Sequence, residues 1–132
     1  MARAGFIMKP LMLYTGAAIV ILWGIAHIVI PTRSIIDAFG PISADNQRTL
    51  LMEWLMEGVL LVFIGVLVVL VASVAPEPDV TAVVVYRVSA SALVVMAGIS
   101  LFTGARTAVL PMKLCPVIFL MVAVLLLLPT VL

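Results

Sequence analysis

Charge is scarce in this chain, and so is cysteine. Of 132 residues, 10% are charged, with seven Lys or Arg against six acids, while 66% are hydrophobic. The mean hydropathy of +1.42 lies far above that of water-soluble domains, which are roughly half apolar. Water is therefore excluded as the main solvent. The balanced charge leaves no basic cluster able to grip a phosphate backbone, which argues against nucleic acid as a partner. Cys115 is the single cysteine, so an internal disulfide is impossible and the redox compartment is not indicated. Its simplest reading is a small apolar thiol in a helix. Walker loops, dinucleotide-binding glycine motifs, Cys-x-x-Cys pairs and Gly-x-Ser-x-Gly elbows are all missing, and with them the common signatures of nucleotide, thiol-redox and hydrolase chemistry.

What the chain does have is long apolar runs punctuated by proline. A membrane-crossing helix needs about 20 apolar residues at a rise of about 1.5 Å each, and four such runs fit at residues 11–30, 48–74, 80–103 and 112–130. The first is longer than a signal-peptide core and lacks a small-x-small cleavage pattern after it, so it reads as a retained helix opened by Pro10 and closed by Pro31. Ser43 is the expected N-cap of a helix that begins before the second span, with Asp45 favouring its positive end. Pro76 and Pro78 break the chain before the third span, and Gly104 is the expected C-cap after it. The expected fold is all-α: an up-down bundle of four transmembrane helices, one integral domain over residues 1–132 with both termini on the same side, in a multi-pass cell-membrane protein.

Small residues predict which faces meet. Gly16, Val20, Gly24 and His27 share a stripe on the first span, as do Trp54, Gly58, Leu61 and Gly65 on the second. Such stripes let backbones approach in lipid, so these two helices are expected to pack together. On the third, Ser91, Val94 and Gly98 share a face with Arg87, which is expected to snorkel or to reach Glu77 and Asp79. The fourth has Ala123 as its one small mid-span residue and is expected to be the most lipid-exposed. Basic residues point both ways on orientation. Arg3 and Lys9 favour a cytoplasmic amino terminus, while Arg33, Arg48, Arg106 and Lys113 favour the opposite.

Polar chemistry has one natural address. Glu53 and Glu57 lie one turn apart in the second span, with Asn46 on the same stripe. A carboxylate at mid-membrane depth costs a few kcal/mol, so it usually faces the bundle interior or water and finds a partner. An antiparallel neighbour would bring His27, near the end of the first span, to the level of both glutamates. Trp23, Trp54 and Arg106 belong to the same level, together with the start of the fourth span, Met112, Lys113 and Cys115. The tryptophans also suit an interfacial belt, and His27 by itself suits a hydrogen-bonded structural role. Imidazole and carboxylate are ligands that Zn, Fe or Mn accept, and Met52, Met56, Met112, His27 and Cys115 form a soft set of the kind Cu(I) takes. No spacing such as His-Glu-x-x-His accompanies them, so no metal and no other cofactor is assigned from the sequence. The pair of carboxylates equally suits a proton relay.

The Gly-x-x-His of Gly24 to His27 and the Glu-Trp-x-x-Glu-Gly of Glu53 to Gly58, set in four short spans, resemble the small bacterial four-helix membrane proteins grouped as DoxX-like. That resemblance implies accessory subunits of respiratory or thiol-redox complexes, although the missing cysteine pair departs from thiol chemistry. In residue types rather than their order, the chain also resembles the sterol-isomerase and sigma-2-like bundles, which enclose a lipophilic amine or sterol. Three functions follow as expectations. The first is a binding or accessory protein holding a small lipophilic or cationic ligand at His27, Glu53 and Glu57, with Trp23, Trp54, Asn46 and Arg106 around it. The second is a membrane enzyme doing acid–base chemistry on a lipid-like substrate. The third is an oligomeric transporter or channel. The expected partners are membrane lipid, a lipophilic ligand and a homo-oligomer or larger membrane complex.

Overall fold

The computed structural model describes residues 2–30, 32–75 and 79–132, without the side chains of residues 2–6, 32 and 33. The expected stop at Pro31 and break at Pro76, Glu77 and Pro78 fall outside the described residues. The described residues are all-α, in the order α1 (Ala2–Val29), α2 (Thr32–Asp37), α3 (Ala44–Val74), α4 (Val80–Phe102), a 3-10 turn (Gly104–Arg106), α5 (Leu110–Leu127) and a closing 3-10 turn (Leu128–Thr130). Four of the helices contain stretches long and apolar enough to cross a membrane, Ile7–Val29, Ala44–Val74, Val80–Arg106 and Leu110–Thr130. Their outward faces are as apolar as their interior: Leu22, Phe63, Val88, Val95 and Val117 are all exposed. Hydrophobicity therefore cannot sort inside from outside here. Small residues do.

Local chemistry sets the helix ends. Ser43 caps α3 by accepting the Asn46 backbone N–H at 3.2 Å, and Asp79 caps α4 by accepting that of Ala82 at 2.8 Å. Pro10 lies inside α1 rather than opening it; an interior proline removes one backbone hydrogen bond and crowds the carbonyl four residues earlier, a disturbance that helices of membrane-spanning length tolerate. Gly104 does not serve as a left-handed cap; α4 ends at Phe102 with Thr103 as its C-cap, and the chain tightens there into the 3-10 turn.

The two small-residue stripes of α1 and α3 meet, as expected. A Cβ added at Gly24 would lie 2.7 Å from the Gly58 carbonyl oxygen, and one at Gly58 would lie 2.9 Å from that of Gly24. Further along, Gly65 of α3 sits against Ala17, Val20 and Ile21 of α1, so the contacts run in opposite directions along the two helices. The α5 helix departs from expectation. It packs against both α1 and α4, with Cys115, Phe119, Val122, Ala123 and Leu126 turned inward. The room comes from the partner: a Cβ at Gly16 would lie 3.2 Å from Leu125 Cβ, so α5 needs few small residues of its own. On α4 the buried face is Ala82, Tyr86, Ser89, Ala90, Leu93 and Ala97, whereas Ser91 and Val94 face outward with Arg87. The guanidinium explains this, since the face that carries it must reach a polar environment. Arg87 donates to the Thr130 hydroxyl and carbonyl oxygens, both at 3.3 Å, beyond the end of α5, instead of reaching Asp79, which is engaged as a cap.

Although α3 and α4 are consecutive, they touch only slightly. The gap between them is what gives the molecule a site. Replacing Gly24 by Ala should separate α1 from α3, because the new methyl meets backbone atoms that cannot rotate away. The expected outcome is a loss of about 1–3 kcal/mol, read by reversible unfolding in detergent, whereas Gly98→Ala, where a Cβ has nothing within 4 Å, should leave stability essentially unchanged.

Candidate functional site

His27 is deeply buried, with 2% of its surface exposed. Its ring stacks on Trp54 at 4.4 Å between centroids and 23° between planes, and meets the edge of Trp23 at 5.3 Å. Nδ1 lies 2.8 Å from the Trp23 carbonyl oxygen one turn earlier. A carbonyl can only accept, so Nδ1 carries the hydrogen and the lone pair of the neutral ring is on Nε2. That nitrogen faces Cys115 Sγ at 3.8 Å, where the thiol can donate to it.

Glu57 completes the group. A ring nitrogen of His27, a carboxylate oxygen of Glu57 and Sγ of Cys115 lie within 4.8 Å of one another. Three helices supply them, α1, α3 and α5, and the sequence distance from His27 to Cys115 is bridged by packing alone. Cys115 is buried and Glu57 half-buried.

Glu57 and Cys115 line a cleft of about 560 Å³ between α3 and α4, with His27 buried behind them. Apolar residues dominate it, among them Ile36, Phe39, Leu60, Met96 and Ile99, and its polar lining includes Glu53, Glu57, Ser100, Thr103 and Cys115. Trp54 also lines it, and the buried indole N–H of Trp54, like that of Trp23, has no hydrogen-bond partner among the described residues. The short helix α2 contributes Ile35 and Ile36 to the cleft, and the turn after it contributes Phe39.

No known protein family, curated protein or solved structure matches this chain. The site must therefore be read from its own geometry.

Of the residues singled out in the sequence, His27, Trp23, Trp54 and Glu57 come together. Glu53 lines the cleft but is exposed and is not the carboxylate grouped with His27; one helical turn separates it from Glu57, and the difference in depth decides which is grouped with the imidazole. Asn46 is exposed, and its backbone N–H is engaged with Ser43. Arg106 is also exposed, its guanidinium 5.5 Å from the centre of the Phe102 ring. Neither lines the cleft. Cys115, whose simplest reading from the sequence is a small apolar thiol, also joins the group. Its position at the level of His27 was visible, but the inward turn of α5 was not.

Trp54→Ala should remove the ring that covers His27. The expected result is a stability loss of about 3–5 kcal/mol, with faster alkylation of Cys115 by a small permeant maleimide. Phe at the same position, which keeps the stacking, should restore most of both.

Proposed function

We propose that this chain is an integral membrane protein that binds a small lipophilic molecule in the cleft between α3 and α4, with the ligand's polar end at Glu57. The four apolar helices would cross the membrane up and down, leaving both termini on the same side; the opposed direction of the α1–α3 contacts supports that arrangement. The observation that carries the reading is the combination of an apolar cleft of about 560 Å³ with a few converging polar groups at its wall, a volume and composition typical of small-molecule sites. Membrane lipid is the surrounding partner in this reading. The resemblance to the DoxX-like proteins, through Gly24 to His27 and Glu53 to Gly58, belongs to the same proposal, as does an accessory role in a larger complex.

Native mass spectrometry of the protein released from gentle detergent tests it. Wild type should retain an organic molecule. Met96→Trp, which fills the cleft from α4 without altering Glu57, should lose it, and Glu57→Gln should hold it about tenfold less tightly or worse, as expected when one charged hydrogen bond is removed. Arg106→Ala should behave as wild type. An empty wild type, or a ligand indifferent to Met96→Trp, would defeat the reading.

A further inference from the structure

We infer that His27 Nε2, the Glu57 carboxylate and Cys115 Sγ form a three-ligand site for a divalent transition metal of the zinc class, with its remaining coordination position open to the cleft. This goes beyond the lipophilic-ligand reading and stands on the three side chains whatever occupies the cleft.

Spacing comes first. Tetrahedral zinc with bonds of about 2.0–2.3 Å separates its ligand atoms by about 3.3–3.8 Å. The His27 Nε2 to Cys115 Sγ distance is already 3.8 Å, and no pair in the group exceeds 4.8 Å. A small rotation of Glu57 about its own side-chain bonds closes the remainder, and Glu57 is the least buried of the three.

The imidazole is prepared in the way a metal site requires. Histidine ligands commonly donate their second ring N–H to a backbone carbonyl, which fixes the tautomer and aims the free nitrogen. His27 does this through Nδ1 and the Trp23 carbonyl oxygen at 2.8 Å, and its stacking on Trp54 prevents the ring from turning. This bond is independent of the distances within the cluster and points to the same atom, Nε2, as the ligand.

Charge selects the ion. A thiolate and a carboxylate bring two negative charges and neutral imidazole none, so a divalent cation makes the assembled site neutral. Neutrality matters inside an apolar bundle, where an uncompensated charge costs several kcal/mol. Cu(I) would leave one negative charge; of the methionines in the soft set, Met52 and Met56 are exposed on α3, and the sulfur of Met112 accepts from the Thr107 hydroxyl at 3.5 Å. Mg and Ca prefer all-oxygen sets. One nitrogen, one sulfur and one oxygen ligand on a rigid frame suit Zn(II), with Co(II) as its spectroscopic substitute. Binding replaces the S–H bond of Cys115 by a metal–sulfur bond and releases that proton through the cleft. Three protein ligands with a fourth position open is the arrangement of zinc sites that bind or polarise a small molecule.

The test uses the full chain in mild detergent. Elemental analysis after growth with added zinc should give about one zinc per chain, and Cys115→Ser, His27→Gln and Glu57→Gln should each weaken retention by about tenfold or more. With Co(II), wild type should show a thiolate-to-cobalt charge-transfer band, absent from Cys115→Ser and present in Glu57→Gln at higher metal concentration. If the Cys115 variant fails to fold, wild type still decides: Zn(II) should slow maleimide labelling of Cys115 and a chelator should reverse this, whereas Mg(II) should do nothing. Trace zinc, no thiolate band and labelling indifferent to Zn(II) would overturn the site, as would full retention of zinc by Cys115→Ser. Met96→Trp separates the two proposals, since it should abolish organic-ligand binding while leaving the Co(II) thiolate band in place.

Discussion

The contact on which the rest of this structure depends is the approach of α1 to α3 at Gly24 and Gly58. Each glycine leaves the other's carbonyl oxygen where a Cβ would stand, at 2.7 and 2.9 Å. In the membrane proposed for this chain, a solvent as apolar as leucine, helices would gain little by burying oil against oil, so close packing between backbones would carry the association. The same contact builds the site. His27 follows Gly24 by one turn, and its Cβ would be only 3.0 Å from a Cβ on Gly58, so the imidazole is delivered to the face of α3 that holds Trp54 and Glu57.

Once His27 is in place, its environment leaves it one useful nitrogen. The Trp23 carbonyl takes Nδ1, and the two indoles hold the ring plane. The α5 helix then contributes Cys115, which reaches the imidazole because α5 packs against α1 through the space left by Gly16. The slight contact between α3 and α4 matters as much as the close one between α1 and α3. A tight four-way bundle would have buried Glu57 without access; the parted pair opens a cleft to it.

This division of labour explains why polar residues are tolerated in such an apolar chain. Arg87 is satisfied by Thr130 at the far end of the bundle, and Asp79 by its own helix. Arg48 and Asp45 pair at 3.3 Å on an exposed turn where the interaction is worth little. Glu57 has no hydrogen-bond partner among the described side chains. It is half-buried, grouped with a histidine and a thiol, and faces a cleft, which is the setting of a side chain kept for something other than stability.

Much was legible in the sequence because it depends on chain-local physics. Four helices follow from apolar run length, the Ser43 cap from hydrogen bonding within one turn, and the α1–α3 interface from glycine spacing. His27, Trp23, Trp54 and Glu57 could be placed at one level because antiparallel helices fix depth by counting residues. What counting cannot supply is rotation about the helix axis and the order of helices around the bundle. The faces of a Leu- and Val-rich helix are all apolar, so nothing in the composition of α5 announced that Cys115 turns inward, and nothing in the short connection announced that α3 and α4 stand apart. Those two facts, settled by the fit of side chains between helices, decided that Cys115 rather than Glu53 joins His27 and that the group opens onto a cleft.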